Sequence, residues 1–259
     1  MLVTVRVPDS VEYCRDAGLD VEEWLREGLI DMMTVSGYFR LNSWKTSVDL
    51  GHRYDVPVFA GLSESRVRKP ARKFKNKPEE YRGRAFAAWK EGVDAVYRFN
   101  HFNPKSPVFR EIGDPLALAG MDKIYTTGAR DTRGAGYWVT GGNKHLGRPA
   151  PLADRPKTLS STSPVIVPID IWDNLADAFS QMKVSATFVL SGVKESSQLE
   201  IKVNGHLLKL AEVKADKIIC ALSGDQLKVG ANSFSFKVTD KALTKVSLRD
   251  LVVKVEKTK

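Results

Sequence analysis

Two cysteines in 259 residues leave little material for a disulfide scaffold or a thiolate metal site. Cys14 and Cys220 lie far apart, in different expected domains, and read as buried free thiols. No histidines flank them at ligand spacing, so no metal is expected. There is no run of about 18 apolar residues, which argues against a transmembrane helix and a membrane partner. The opening MLVTVRVPDS lacks the basic start, long apolar stretch and small-residue cleavage site of an export signal. Phosphate-cradling motifs are missing too. The stretch Thr126–Pro149 has six glycines, yet neither GxxxxGKS/T nor GxGxxG falls there between a strand and a helix. No cofactor is expected.

Arginine is also scarce in one part of the chain. Residues 160–259 hold 1 Arg and 13 Lys, whereas residues 1–159 hold 16 Arg and 10 Lys. The net charge of +9 divides as +6 and +3. This switch falls in APLADRPKTLSSTS (Ala150–Ser163), whose Pro and Ser content reads as a linker.

What is present in the first part is a fourfold beat. LVTVRV (Leu2–Val7), IDMMTVSG (Ile30–Gly37), VPVFAGL (Val56–Leu62) and DAVYRFN (Asp94–Asn100) are β-rich runs, with helical patterns such as DVEEWLREG and RGRAFAAWKEG among them. Strands alternating with helices give βαβ units and a parallel sheet. Four such units are half of a (β/α)8 barrel. From about Val165 the pattern changes to short alternating strands: SATFVLSG, QLEIKVNGHLLKL, IICALSG, SFSFKVTD and VSLRDLVVKVEK. Asn204-Gly205 is a type I′ hairpin signal, and the regular spacing argues a β-sandwich. The expected fold class is therefore α/β plus all-β. A partial (β/α)8 barrel covers 1–125, a Gly-rich excursion and linker 126–163, and a β-sandwich 164–259. Tyr137 and Trp138 are expected to pin the excursion.

Barrel sites are built at the C-terminal ends of the strands. By period two, Arg6, Ser36, Glu64 and Asn100 are assigned to the lumen there, with Val58, Ala60, Leu62, Val96 and Arg98 on the same face. Glu64 is the sharpest candidate: a carboxylate near Arg6 or Arg66 stays ionised and can serve as nucleophile or base. It also reads as a loop glutamate paired to Arg66 or Arg68. Arg6 can hold Glu64 or a substrate carboxylate. Asn100 and His101, in RFNHFNP, can bind hydroxyls or simply end the strand. Tyr38, Trp44 and Phe102 are placed in loops after strands, where they can stack on a ring or pack the loop down. Arg66–Lys77 carries seven basic residues in twelve. It reads either as a solvated loop and helix start or as a lure for an anionic polymer. Only Phe74 interleaves, which disfavours nucleic acid.

The segments GLDVEEWLREGLIDMMTVSGYF, VPVFAGLSES, YRGRAFAAWKEGVDAVYRFNHFNP and FREIGDPLALAGMDKIY, in that order, resemble the C-terminal half of bacterial glycosyl-hydrolase-like TIM-barrel proteins. The resemblance covers about Leu2–Tyr125. It implies that the four strands are the fifth to eighth of the barrel. It implies a carbohydrate-active protein, a glycoside hydrolase, acting on an oligo- or polysaccharide that the basic run would favour as anionic. Glu64 stands where retaining enzymes of this type carry the nucleophile; their acid/base residue comes from the fourth strand, outside this chain. The resemblance also suggests a secreted or periplasmic setting. The later pieces "L.IKVNG..L", "DQLKVGANSFSFKV" and "SLRDLVVKVE" resemble galactose-binding-type jelly-roll modules. The alternative is a non-catalytic glycan-binding or assembly protein with a degenerate barrel. Four units leave two open sheet edges, so a homodimer or a separate N-terminal half-barrel is the expected partner.

Overall fold

A computed structural model describes residues 1–36, 39–63, 77–127, 133–148, 152, 155–175, 181–240 and 245–258. Its chain is mixed α/β and divides into two compact units, each assembled from more than one stretch of sequence. The first lies within 1–67, 84–118 and 130–148, the second within 68–83, 119–129 and 149–259.

The first unit holds one parallel sheet of four strands in sequential order: β1 (Thr4–Val7), β2 (Met32–Ser36), β3 (Val58–Ser63) and β4 (Ala95–Phe99). All four strands fall where the apolar runs predicted them. Helices separate them in sequence: α1 (Val11–Asp16) and α2 (Val21–Arg26), then α3 (Trp44–His52), then α4 (Pro78–Lys90). Their starts follow capping chemistry. Ser10 accepts from the Tyr13 N–H ahead of α1, and Asp20 from the Glu23 N–H ahead of α2. In α4, Pro78 takes the first position, Glu79 and Glu80 the first turn, and Lys90 the last. α3 lies so near β3 that a Cβ on Gly51 would fall on the Val58 side chain.

Beyond β4 come α5 (Val108–Glu111) and α6 (Pro115–Ala119). The Gly-rich stretch is no free excursion. It forms α7 (Arg133–Trp138) and a 3-10 turn (Gly142–His145). Tyr137 and Trp138, expected to pin it, are 81% and 58% exposed. The anchors are small: the Tyr13 hydroxyl donates to the Ala135 carbonyl at 2.8 Å, and Gly142 fits against Tyr13 where a Cβ would not. Asp16 accepts from His145 (2.8 Å) and Lys144 (2.7 Å).

The second unit contains two antiparallel sheets. One runs β10–β9–β12–β7, from β7 (Val165–Ile171), β9 (Leu199–Val203), β10 (His206–Leu207) and β12 (Gly230–Val238). The other runs β11–β8–β13–β5, from β5 (Lys123–Thr126), β8 (Met182–Ser191), β11 (Lys217–Leu222) and β13 (Ser247–Lys257), with β6 (Lys157–Thr158) also on β13. Strict alternation of burial in β11 and β12 shows one apolar face each. The inward rows meet in a single core where Phe188, Phe234 and Phe236 pack ring to ring. Asn204 and Gly205 both have positive φ (49° and 91°), as the hairpin signal required. Cys14 and Cys220 are both buried free thiols.

The expected boundary at 125/126 is displaced. Lys123–Thr126 pairs antiparallel with Val252–Val255 and belongs to the second unit. It brings a buried polar triad with it. Lys123, 0% exposed, donates from Nζ to Asp173 Oδ1 (2.7 Å) and to the Met121 (3.0 Å) and Ala119 (3.3 Å) carbonyls. Those three acceptors match the three donors of an ammonium. Tyr125 donates to Asp173 Oδ2 at 2.5 Å. Burial pulls the Lys123 pKa down, with Asp173 partly offsetting it, and pushes that of Tyr125 well up. Among the described residues no helix is long and apolar enough to cross a membrane.

Candidate functional site

The parallel register fixes which side chains share a face, because paired residues point the same way. One row is Arg6–Thr34–Phe59–Ala95; Ser36–Gly61–Tyr97 and Ser63–Phe99 continue the same face. The adjacent row, Val7–Val35–Ala60–Val96, points the other way, with Met33, Val58, Leu62 and Arg98. That second face is the helix-packed one. Val58, Ala60 and Leu62 are 0% exposed. Val7, Met33 and Val35 share a void of about 40 Å³ with Val11, Val21 and Leu50 of the surrounding helices. It has room for a water-sized group and none for a sugar ring.

This corrects half of the sequence assignment. Arg6 and Ser36 lie on the face expected for them, but the β3 and β4 rows are reversed. Val58, Ala60, Leu62, Val96 and Arg98 face the helix side, while Phe59, Ser63, Tyr97 and Phe99 join Arg6. Glu64 and Asn100 share the parity of these rows, so an inward assignment of those two carries Val58, Ala60, Leu62, Val96 and Arg98 with it. One position of slip turns a whole strand over.

The polar-aromatic face is concave. Strands stand about 4.8 Å apart, so β1 and β4, at the two ends of the order, would be roughly 14 Å apart in a flat sheet. Yet the Arg6 guanidinium carbon lies 3.9 Å from the centroid of the Phe99 ring. The reach of the two side chains covers part of that gap, and a sheet curled toward this face covers the rest. Tyr97 is 41% exposed, and Arg6 is exposed as well. Thr34, Ser36 and Ser63 are buried hydroxyls on the same face. Guanidinium, hydroxyls and aromatic rings on one curved surface can grip a polyhydroxylated ring by hydrogen bonds and stacking.

The remaining expected residues have other duties. Ser36 adopts φ 68° and donates to the Phe39 carbonyl at 2.5 Å, which ties the end of β2 to Phe39. Trp44 is not a loop aromatic: it opens α3 and is 1% exposed, so it cannot stack on a ligand ring. Asn100 is exposed with φ 55° and ends β4 in a left-handed residue. Arg98 and His101 pair on the helix side, Nη2 to Nδ1 at 2.5 Å, with the His101 ring edge-on to Phe109 at 5.1 Å. Burial, then the Arg98 charge, lowers the His101 pKa, so the ring is held neutral. Phe102 is 88% exposed. Tyr38, Glu64 and 66–76 of the basic run lie outside the described residues.

Sequence reasoning passed over Asp9 and Arg40, which follow β1 and β2 at the strand ends where barrel sites form. Asp9, 3% exposed, takes the Leu41 N–H on both carboxylate oxygens (3.0 and 2.9 Å) and the Asn42 N–H on one (2.9 Å). It thereby fixes the segment that presents Arg40. Asp9 precedes the cap residue Ser10, and no local pattern marks its reach to backbone donors more than thirty positions away.

Among the described residues no group of three or more His, Cys, Asp or Glu side chains could hold a metal. No protein-family profile matches the chain, and no curated protein matches it in sequence. Solved structures with slight likeness include BuGH86 in complex with neoagarooctaose, as wild type and as a single-residue variant. Both are 15% identical over 40% of this chain, with a TM-score of 0.33. A third is BpGH86A, a β-porphyranase of glycoside hydrolase family 86 from the human gut bacterium Bacteroides plebeius, 15% identical over 41% with a TM-score of 0.32. The chain spans only 17–20% of the length of these structures. Overlap that slight leaves function to be read from this chain's own residues.

Proposed function

We propose that the chain is a carbohydrate-active protein of the glycoside hydrolase kind. Its four βα units form the fifth to eighth of a barrel, and its antiparallel unit is a jelly-roll-like β-sandwich accessory. The observation that carries this reading is the concave face, where Arg6 stacked on Phe99, the Thr34, Ser36 and Ser63 hydroxyls, Phe59 and Tyr97 share one surface. An oligosaccharide lies along it, with Arg6 and Tyr97 in contact. In this reading Glu64, the first residue past the end of β3 and so not bound by the strand's alternation, is the reacting carboxylate. Glycoside hydrolysis of the common kind needs two carboxylates flanking the bond. The described residues of the concave face include no Asp or Glu, so the second is supplied by another chain or another segment. Docking of that partner against the edges of β1 and β4 completes the site.

Calorimetric titration with a panel of neutral and acidic oligosaccharides tests the reading. Tyr97→Ala and Arg6→Ala should each weaken binding at least tenfold without loss of fold. Glu64→Gln should spare binding and abolish hydrolysis once both half-sites are present. A panel without a single binder, or binding indifferent to Tyr97→Ala and Arg6→Ala, would overturn it.

A further inference from the structure

We infer that Arg40 is the anchor for an anionic group, a carboxylate or a sulfate ester, carried by the saccharide of the reading above, on which this inference rests. Arg40 is 9% exposed, and its buried Nε has no hydrogen-bond partner among the described residues. Its guanidinium carbon lies 4.9 Å from the ring centre of Trp44, itself buried. An arginine cannot escape burial by losing its proton, as a lysine can. A buried guanidinium therefore calls for an anion. The attraction of one indole face does not replace it.

The segment is built to hold that charge still. Phe39 accepts from Ser36 through its carbonyl and packs against Tyr13 at 5.1 Å between ring centres. The Leu41 N–H is gripped by both oxygens of Asp9. The Leu41 carbonyl accepts from the Gly147 (3.0 Å) and Arg148 (3.2 Å) N–H groups. The backbone on each side of Arg40 is thus pinned, and the docking brings a second arginine's backbone one residue away. A fixed guanidinium fork matches a planar carboxylate or a sulfate by paired hydrogen bonds. Its place in the segment between β2 and α3 puts the anion at the C-terminal end of β2. A neutral sugar would leave it unmatched; an acidic one would not.

Thermal unfolding in sodium sulfate against sodium chloride at equal ionic strength gives the first measure, on the wild type and Arg40→Met. Sulfate stabilises proteins generally, so the informative quantity is the difference between the two proteins. The wild type should gain about 2–4 °C more than Arg40→Met, as expected for specific binding near saturation. The second measure is affinity for oligogalacturonate, for sulfated dextran oligomers and for unsulfated ones. The wild type should prefer at least one acidic probe tenfold, and the probe preferred tells carboxylate from sulfate. Arg40→Met should lose the preference and keep its affinity for the neutral oligomer. An Arg40-dependent sulfate response without any saccharide binding would keep the anion site and remove the carbohydrate reading. Equal sulfate responses in the two proteins would overturn the inference. So would a Glu64→Gln variant as destabilised as Arg40→Met and non-additive with it, because the chain would then supply its own counter-ion.

Discussion

Asp9→Ala should be among the most damaging single changes in the parallel-sheet unit. The carboxylate is 3% exposed and serves two backbone donors, Leu41 N–H and Asn42 N–H, through three contacts of 2.9–3.0 Å. Hydrogen bonds to a charged group contribute about 1.5–3 kcal/mol each, and stranding a buried donor costs a similar amount. Desolvation of the carboxylate returns part of this, which leaves a net loss of about 3–4 kcal/mol. At roughly 2–4 °C per kcal/mol for a chain of this size, the melting temperature should fall by about 6–16 °C. Asp9→Asn should lose about half as much, since one amide oxygen can still serve one donor while its NH2 faces the other. The assay is thermal unfolding by circular dichroism, with amide exchange at Leu41 and Asn42 as the local readout. Exchange there should accelerate before any other part of the unit opens. A melting temperature within about 2 °C of wild type for Asp9→Ala, or unchanged exchange at Leu41, would refute the reasoning.

Cys14 is a buried thiol whose pKa is pushed up to about 12 by burial and by the charges of Asp9 and Glu12, and burial also raises that of Cys220. At pH 8 about one Cys14 in ten thousand is thiolate, so a colorimetric thiol reagent should find no fast site in the native protein and two in denaturant; one rapid native site would contradict this. Burial alone would raise the Asp94 pKa, but hydrogen bonds from His52 (2.8 Å) and the Val58 N–H (2.7 Å) outweigh it and the net shift is downward. A folded pKa below the unfolded value of about 3.9 means that the ionised group stabilises above that pH and stops doing so as pH falls through the folded pKa. Asp94→Asn should therefore flatten the acid limb of the stability profile below about pH 4, and an unaltered limb would count against the assignment. Lys123→Met leaves Asp173 buried with Tyr125 and should cost about 3–5 kcal/mol in urea unfolding. Adding Asp173→Asn should recover part of that loss, and a single variant within 1 kcal/mol of wild type would exclude the pair as a stabilising element.

The strands of the parallel sheet were legible because each is a compact apolar run, and the hairpin at Asn204-Gly205 because two positive-φ residues are a local demand. Strand facing was legible only where one parity is plainly polar, as in Thr4 and Arg6. In VFAGLS and AVYRF both parities carry apolar or aromatic residues, so only the register against β2 settles the matter. β5 was invisible for a different reason. KIYT reads as the tail of the preceding α/β pattern, and the partners that make it a strand lie at Val252–Val255. The buried charge of Lys123 is equally silent in sequence, its counter-ion being fifty positions away. Arg40 escaped notice because an isolated arginine after a strand is ordinary until its burial is known.

The pairing of β5 with β13 also sets a timetable. Thr126 and Val252 are neighbours in the sheet but leave the ribosome about 126 residues apart, which is roughly 6–25 s at ordinary rates of synthesis. Throughout that interval Lys123 has no finished interior to enter, and β5 is a short unpaired strand beside whatever has already emerged. The antiparallel unit can close only once β13 has been made. Its exposure to aggregation is therefore governed by translation speed as much as by its final stability. A chain started at residue 150 would be released at once but would never find its edge strand.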